Sequence, residues 1–338
     1  MIPDAPFTSW CTSQGIKSPL ELKGVGSGYR YLAAKNDISS EEALLSVPLD
    51  ACVIDDTKEG LAERLYHERS LGSESKYDAY IDVLPDLDSF ASMPRFWSPD
   101  RLARVSDFDG GQLEQRVATD AKKELDPWAY ACVSSRSNFL NDFRYSLTPL
   151  LDMLNHDGTV GTSASISDEG ELCLSVKEKA KAGDEVFISY GALSNIDTLC
   201  DYGFISSDNP CNTELMEIQM LGLDPVILPI YSDGSIDNGA IAMLRESLAT
   251  SEERDEDRKR GGSAWLPFRK PLSDRLEYDV FSLVASSLDG CAEKGRLGED
   301  GSREGGDEMA AEYLKGRVGV LEKGISKILE RFPDLEYK

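Results

Sequence analysis

Strand-like and helix-like periodicities alternate in blocks along this chain, and their order constrains the fold more than any single motif does. Residues 29–35 and 43–48 read as short strands separated by a polar turn at 36–42. From about residue 57 the texture is helical, with Leu61, Leu65 and the segment 77–85 placing apolar residues three and four apart. Ser98-Pro99-Asp100 is a helix start, and further helices are expected over 112–123 and 126–136. Strand texture returns at 163–167 and 171–176 around the turn Asp168-Glu169-Gly170, and again at 185–190 after Ala182-Gly183-Asp184. After Cys211 the chain is expected to be helical. Asp274 and Glu277 read as a capping box for a helix carrying Leu276, Val280, Phe281, Val284 and Leu288 and leaving at Gly290. Leu314, Val318, Leu321, Ile325 and Ile328 mark a last amphipathic helix, while 251–263 and 290–308, rich in Gly and charge, read as mobile loops. The order β, α, β, α implies an α+β chain: one β domain split by a helical insertion, then a helical domain.

A formal net charge of −25 argues against a protein that tracks phosphates, which needs a basic stripe. The acidic run 252–257 reads as solvated surface. The seven cysteines form no C-x-x-C pair, and with only His67 and His156 available neither a zinc site nor a disulfide framework is indicated. No apolar run approaches the length of a membrane span, and the start, Met1-Ile2-Pro3-Asp4-Ala5-Pro6, resembles neither a secretory nor a transit signal. The chain is therefore expected to be a soluble monomer that binds neither nucleic acid nor membrane. The expected compartment is cytoplasmic, with nucleus and chloroplast left open.

Three clusters hold polar residues in apolar settings. They are Val133-Ser134-Ser135-Arg136-Ser137-Asn138-Phe139, Leu150-Leu151-Asp152-Met153-Leu154-Asn155-His156, and 187–204 with Tyr190-Gly191 and Tyr202-Gly203. Each alone has a plain structural explanation: a helix C-terminus whose arginine faces the dipole, a turn after a strand, or glycines supplying positive φ. A Ser/His/Asp hydrolase is not indicated, since no G-x-S-x-G elbow accompanies His156.

Taken in order, the clusters resemble the SET-domain methyltransferases of the Rubisco large-subunit lysine methyltransferase class. That family has Ser-Arg-x-Phe, P-x-x-D-x-x-N-H, G-[DE]-E-V-[FY]-I-x-Y and S-N-x-x-x-L-x-x-Y-G-F. Here these read Ser135-Arg136, Pro149 to His156, Gly183 to Tyr190, and Ser194 to Phe204. The resemblance implies a SET-type β fold with a threaded-loop active site over 1–54 and 134–211, a helical insertion at 55–133, and a helical substrate-binding domain at 212–338. It implies S-adenosylmethionine (AdoMet) as cofactor, held by Gly26, Gly28, Tyr29, Ser135, Asp152, Asn155, His156 and Tyr190, with no metal. It implies Tyr190 and Tyr202 as catalytic residues, and Arg136, Phe139, Asp152 and Tyr202 against a lysine-bearing, non-histone protein substrate. Arg136 and Asp152 fit a structural ion pair equally well. No tyrosine lies between 156 and 190, where the family has one more, so the number of methyl groups added is left open. Members that methylate histidine share the scaffold, and a non-catalytic AdoMet- or partner-binding SET scaffold is a third reading; Ser135-Arg136, Tyr190 and Tyr202 favour lysine.

Overall fold

Short paired strands build the N-terminal half and long helices the C-terminal half. A computed structural model describes residues 4–24, 29–40, 42–121, 124–140, 143–220, 222–261 and 267–337. The chain runs through α1 (Asp4–Ser13), β1 (Leu20–Gly24), β2 (Arg30–Ala34), β3 (Ala43–Pro48) and β4 (Val53–Asp55). Helices follow: α2 (Lys58–Leu71), α3 (Asp78–Ile81), α4 (Pro99–Asp109), α5 (Gln112–Ala121) and α6 (Pro127–Arg136). Six strands come next: β5 (Ser137–Phe139), β6 (Tyr145–Leu147), β7 (Asn155–His156), β8 (Thr162–Ile166), β9 (Glu171–Val176) and β10 (Phe187–Ile188). The remainder is α7 (Asn195–Tyr202), the hairpin β11 (Thr213–Ile218) and β12 (Val226–Tyr231), then α8 (Asn238–Leu248), α9 (Ser251–Lys259), α10 (Asp274–Glu304) and α11 (Glu308–Arg331). The fold is α+β. Two compact units divide it, Met1–Phe96 with Thr119–Ala192, and Trp97–Ala118 with Leu193–Lys338.

In the first unit the strands form antiparallel sets β1–β2, β3–β9–β8 and β4–β6–β5, and one parallel pair, β7 with β10. Leu32, Leu44, Val47, Leu61, Leu65, Val133, Leu147 and Leu174 are buried in its common core. The helix starts follow from local chemistry. Asp126 accepts from the Ala129 N–H at 2.9 Å with Pro127 in the first turn, and Thr57 accepts from Gly60 N–H at 2.9 Å.

The second unit departs from four expectations. Residues 213–231 form a hairpin rather than helix, because Met216, Ile218, Val226, Leu228 and Ile230 alternate inward. Residues 251–259 are helical rather than loop: Thr250 caps them, and its backbone N–H is bound in return by Glu253. Residues 290–308 are not a loop either, for α10 continues unbroken past Gly290 to Glu304. Its glycines are contact points. A Cβ on Gly295 would meet Val318 Cγ2 at 2.6 Å, and one on Gly298 would meet the Phe108 ring at 2.4 Å.

Nor do Asp274 and Glu277 form a capping box. Ser273 caps α10 by accepting from Leu276 N–H at 3.1 Å, which frees Glu277 to turn inward. There it accepts from Arg245 Nε at 2.6 Å and Nη2 at 2.8 Å, and from Arg331 Nη2 at 2.9 Å. Both members of the bidentate pair are buried. Removing one partner of such a pair strands the other charge in an apolar core. Glu277→Ala should cost about 3–5 kcal/mol of stability, read from denaturant midpoints followed by helical circular dichroism. A loss under about 1 kcal/mol would show that Arg245 finds other compensation.

Candidate active site

The segment 183–188 is bonded on both sides. On one, Gly183 N–H donates to Ala34 O, Ala34 N–H to Asp184 O, and Val186 N–H to Leu32 O, all within 2.8–2.9 Å. On the other, β10 pairs in parallel with β7, setting Phe187 beside Asn155 and Ile188 beside His156. This register gathers side chains from β2, β7 and the end of β10 into one place. The parallel neighbour is brought back by the β8–β9 hairpin, whose turn at Gly170 has the positive φ that glycine tolerates.

Asn155 is the hub. Its Nδ2 lies 2.7 Å from Glu185 Oε1, 2.9 Å from Tyr29 Oη and 3.1 Å from Arg30 O. A carboxylate and a carbonyl accept only, so the amide nitrogen must face them, and Oδ1 is turned the other way. Tyr29 Oη in turn donates to Glu185 at 2.7 Å. Desolvation and this carboxylate together push the Tyr29 phenol up to about 12.

His156 Nδ1 accepts from the Tyr190 N–H at 3.0 Å, which leaves the ring proton on Nε2. Burial lowers its pKa and keeps the imidazole neutral. The two rings lie 5.0 Å apart, centroid to centroid. Tyr190 Oη donates to Leu154 O at 2.6 Å, and burial raises its phenol to about 12.

Beneath them Asp152 is fully buried as a side chain. It is presented by a short 3-10 turn, 151–153, that follows Leu150 at φ 70°, an unfavourable angle for a branched residue. Tyr80 Oη donates to Asp152 Oδ2 at 2.7 Å, and Arg136 Nη1 donates to the main-chain oxygen of Asp152 at 2.6 Å while lying 3.9 Å from Oδ2. Arg136 Nε, Ser137 Oγ and Asp152 Oδ1 are buried without a hydrogen-bond partner. Buried polar atoms without partners are costly.

The structure thus brings Tyr29, Arg136, Asp152, Asn155, His156 and Tyr190 together in the first unit. Ser135 lies beside them, but its hydroxyl donates to Ala131 O of its own helix at 2.8 Å. Phe139 is exposed and meets the rings of Phe143 and Tyr145. Tyr202 ends α7 in the second unit, where its ring contacts Phe204. Gly26 and Gly28 lie outside the described residues. Sequence reasoning left out Glu185, Tyr80 and Arg30, whose side chain donates to Val83 O. Glu185 stood inside the motif from Gly183 to Tyr190, whereas nothing local in the sequence pointed Tyr80 at Asp152.

No protein-family model matches the chain. Over nearly its whole length it nevertheless has the SET fold of the Rubisco methyltransferase class. It aligns with the SET domain of LSMT bound to lysine and AdoHcy at a TM-score of 0.74 and 18% identity, covering 98% of this chain and 92% of that one. Against Rubisco LSMT bound to AdoMet the TM-score is 0.70 at 18% identity, covering 99% and 94%. In sequence it is 27% identical over 271 residues to the chloroplastic fructose-bisphosphate aldolase-lysine N-methyltransferase of Arabidopsis thaliana, covering 65% of this chain and 55% of that protein. It is 24% identical over 235 residues to the ribosomal lysine N-methyltransferase set11 of Schizosaccharomyces pombe, covering 60% and 61%. A shorter match, 32% over 88 residues, joins it to the actin-histidine N-methyltransferase of Danio rerio, covering 24% and 15%. The chain spans about half to three fifths of the length of the first and second of these relatives. Among the described residues no helix is long and apolar enough to cross a membrane.

The buried carboxyl sets a pH test. Burial is the largest influence on Asp152 and raises its pKa above the ordinary value of 3.8. The unfolded chain therefore releases this proton at lower pH than the folded one, and stability falls as pH rises from the ordinary carboxylate range toward the raised value. Asp152→Asn removes that slope. Urea midpoints at about pH 4 and about pH 7 should show wild type losing ground to the variant as pH rises. An unchanged difference would mean that Arg136 holds the carboxylate ionised throughout.

Proposed function

We propose that this chain is an AdoMet-dependent protein-lysine N-methyltransferase with a non-histone substrate, and that the gathering of Asn155, His156 and Tyr190 by the β7–β10 pairing carries the reading. In functional terms 1–54 and 134–211 would be the SET domain, 55–133 its insertion and 212–338 the part approached by substrate. The names of the relatives from Arabidopsis thaliana and Schizosaccharomyces pombe support a lysine acceptor, as does the lysine bound in one LSMT structure, and the AdoHcy and AdoMet bound in the two support the cofactor.

The site's chemistry suits a zwitterionic cofactor. Asn155 with its amide oxygen turned away from Glu185, Asp152 Oδ1, Arg136 Nε and Ser137 Oγ together offer acceptors and donors in a buried setting. Asn155, His156, Tyr29, Ser135, Asp152 and Tyr190, with Gly26 and Gly28, would hold AdoMet, which when bound supplies an electrophilic methyl group. The acceptor amine must arrive neutral and in line, so the protein's contribution is mainly orientation and electrostatics. Tyr190 donates its own proton to Leu154 O, so toward a substrate amine its hydroxyl would act as an acceptor of the N–H and aim the nitrogen lone pair. Its raised pKa keeps it a neutral phenol. Arg136, Phe139, Asp152 and Tyr202 would contact the substrate, Tyr202 as a wall of the lysine channel.

Tyr190→Phe deletes one hydroxyl and almost no volume. The aromatic ring that would line the cofactor site remains, so AdoMet affinity, measured by calorimetry with and without a chelator, should change little, while single-turnover transfer falls by about 10²–10³, or about 3–4 kcal/mol of barrier. Asn155→Ala should instead weaken AdoMet binding itself, because the amide acts on the ground-state complex as well. Wild-type transfer by Tyr190→Phe would remove that residue from the chemistry, and failure of the wild-type protein to bind AdoMet would overturn the reading as a whole.

A further inference from the structure

The β11–β12 hairpin has an outward face that is unusual for a two-stranded sheet. Alternation sends Glu214, Met216, Ile218, Val226, Leu228 and Ile230 inward, where Glu214 meets Arg317 and the apolar residues join the core of the second unit. The opposite positions should be polar, since one face of such a sheet normally meets water. They are largely apolar instead. Leu215 stands across from Pro229, Ile227 across from Glu217 and Tyr231 across from Thr213, close enough on one face to make a continuous surface. Leu215, Ile227 and Tyr231 remain 48, 48 and 41% exposed, and Leu223 in the connecting turn 47%. Contiguous apolar exposure of this kind marks an interaction site.

The charges around the face select its partner. Between Lys181 and Arg245 the sequence contains no Lys or Arg, while acidic residues recur through it. On the hairpin, Glu217 projects from the face and Asp224 from the turn, both exposed, and among the described residues neither has an ion-pair partner. Among the described residues the cations paired just past β12 are Lys323, whose Nζ donates to Ser232 O, and Lys327, which pairs with Asp233 at 2.8 Å. A second copy of the chain would bring like charges together at this face, and in a chain of net charge −25 that repulsion would be general.

We propose that the outer face of the β11–β12 hairpin docks a basic segment of a partner protein that also carries apolar side chains, the apolar residues packing on Leu215, Ile227 and Tyr231 and the cations pairing with Glu217 and Asp224. This surface belongs to the second unit alone and stands independently of the methyl-transfer reading.

The test uses the full chain and a fluorescein-labelled peptide alternating lysine with leucine, read by fluorescence anisotropy. Peptides alternating lysine with serine and glutamate with leucine separate charge from apolar contact. The lysine–leucine peptide should bind best. The double variant Leu215→Ser, Ile227→Ser should weaken it by about tenfold or more, and so should Glu217→Lys with Asp224→Lys. These positions are exposed, so thermal melts should match wild type. Glu252→Lys with Glu330→Lys makes the same change of charge on the helices α9 and α11 and should leave binding nearly intact. Equal weakening by both charge variants would reduce the effect to net charge and overturn the proposal, as would no effect of the serine variant. If sedimentation shows a dimer that the serine variant abolishes, the face belongs to a second copy and the proposal is wrong.

Discussion

The site depends on one strand segment being bonded along both edges at once. Residues 183–188 exchange hydrogen bonds with β2 on one side and, through β10, pair in parallel with Asn155-His156 on the other. Only this double pairing sets the Asn155 amide against Glu185 and Arg30 O, and the Tyr190 N–H against His156 Nδ1. A slip of one residue in the register would turn every side chain of the segment to the opposite face, so the geometry is held by the pairing rather than by any one contact. The flanking elements supply the depth. Helix α6 delivers Arg136 at its C-terminus, and α3 delivers Tyr80 to Asp152.

Burial then decides protonation. It keeps His156 neutral, raises Asp152, and holds the Tyr190 phenol near 12. The neutral His156 imidazole and Tyr190 phenol, set beside the Glu185 carboxylate and the Arg136 cation, are suited to orienting a reacting group rather than to moving protons. Three buried polar atoms without partners lie at Arg136, Ser137 and Asp152. In an apolar setting such atoms cost stability.

Much of this was legible locally. Asp126-Pro127 and Ser98-Pro99 announce helix starts, and Asp168-Glu169-Gly170 announces a hairpin, because caps and turns are decided by neighbouring residues. The motif residues in 135–156 and 183–190 were found because they sit in short runs. What escaped was set by distant packing. The buried Glu214 broke the apparent alternation of β11 and hid the hairpin, since its partner Arg317 lies about a hundred positions on. Glycines in α10 looked like helix breakers, yet Gly295 and Gly298 are where side chains of α11 and α4 pass closest. Charges there read as loop, but Arg296 with Glu322, and Arg303 with Glu299 and Glu312, brace a helical surface. Tyr80 could not be linked to Asp152 from spacing at all.

The chain is similar in sequence to proteins named for lysine methylation and, over a short stretch, to one named for histidine methylation, so the most direct measurement is the chemical identity of the methylated residue. A lysate incubated with the protein and methyl-tritiated AdoMet gives labelled bands that can be hydrolysed and resolved by amino-acid analysis, with the acceptor peptide then located by mass spectrometry. Label in methyl-lysine, dependent on the Tyr190 hydroxyl, is the expected result. Label in methyl-histidine, or none above a sample without the protein, would contradict it.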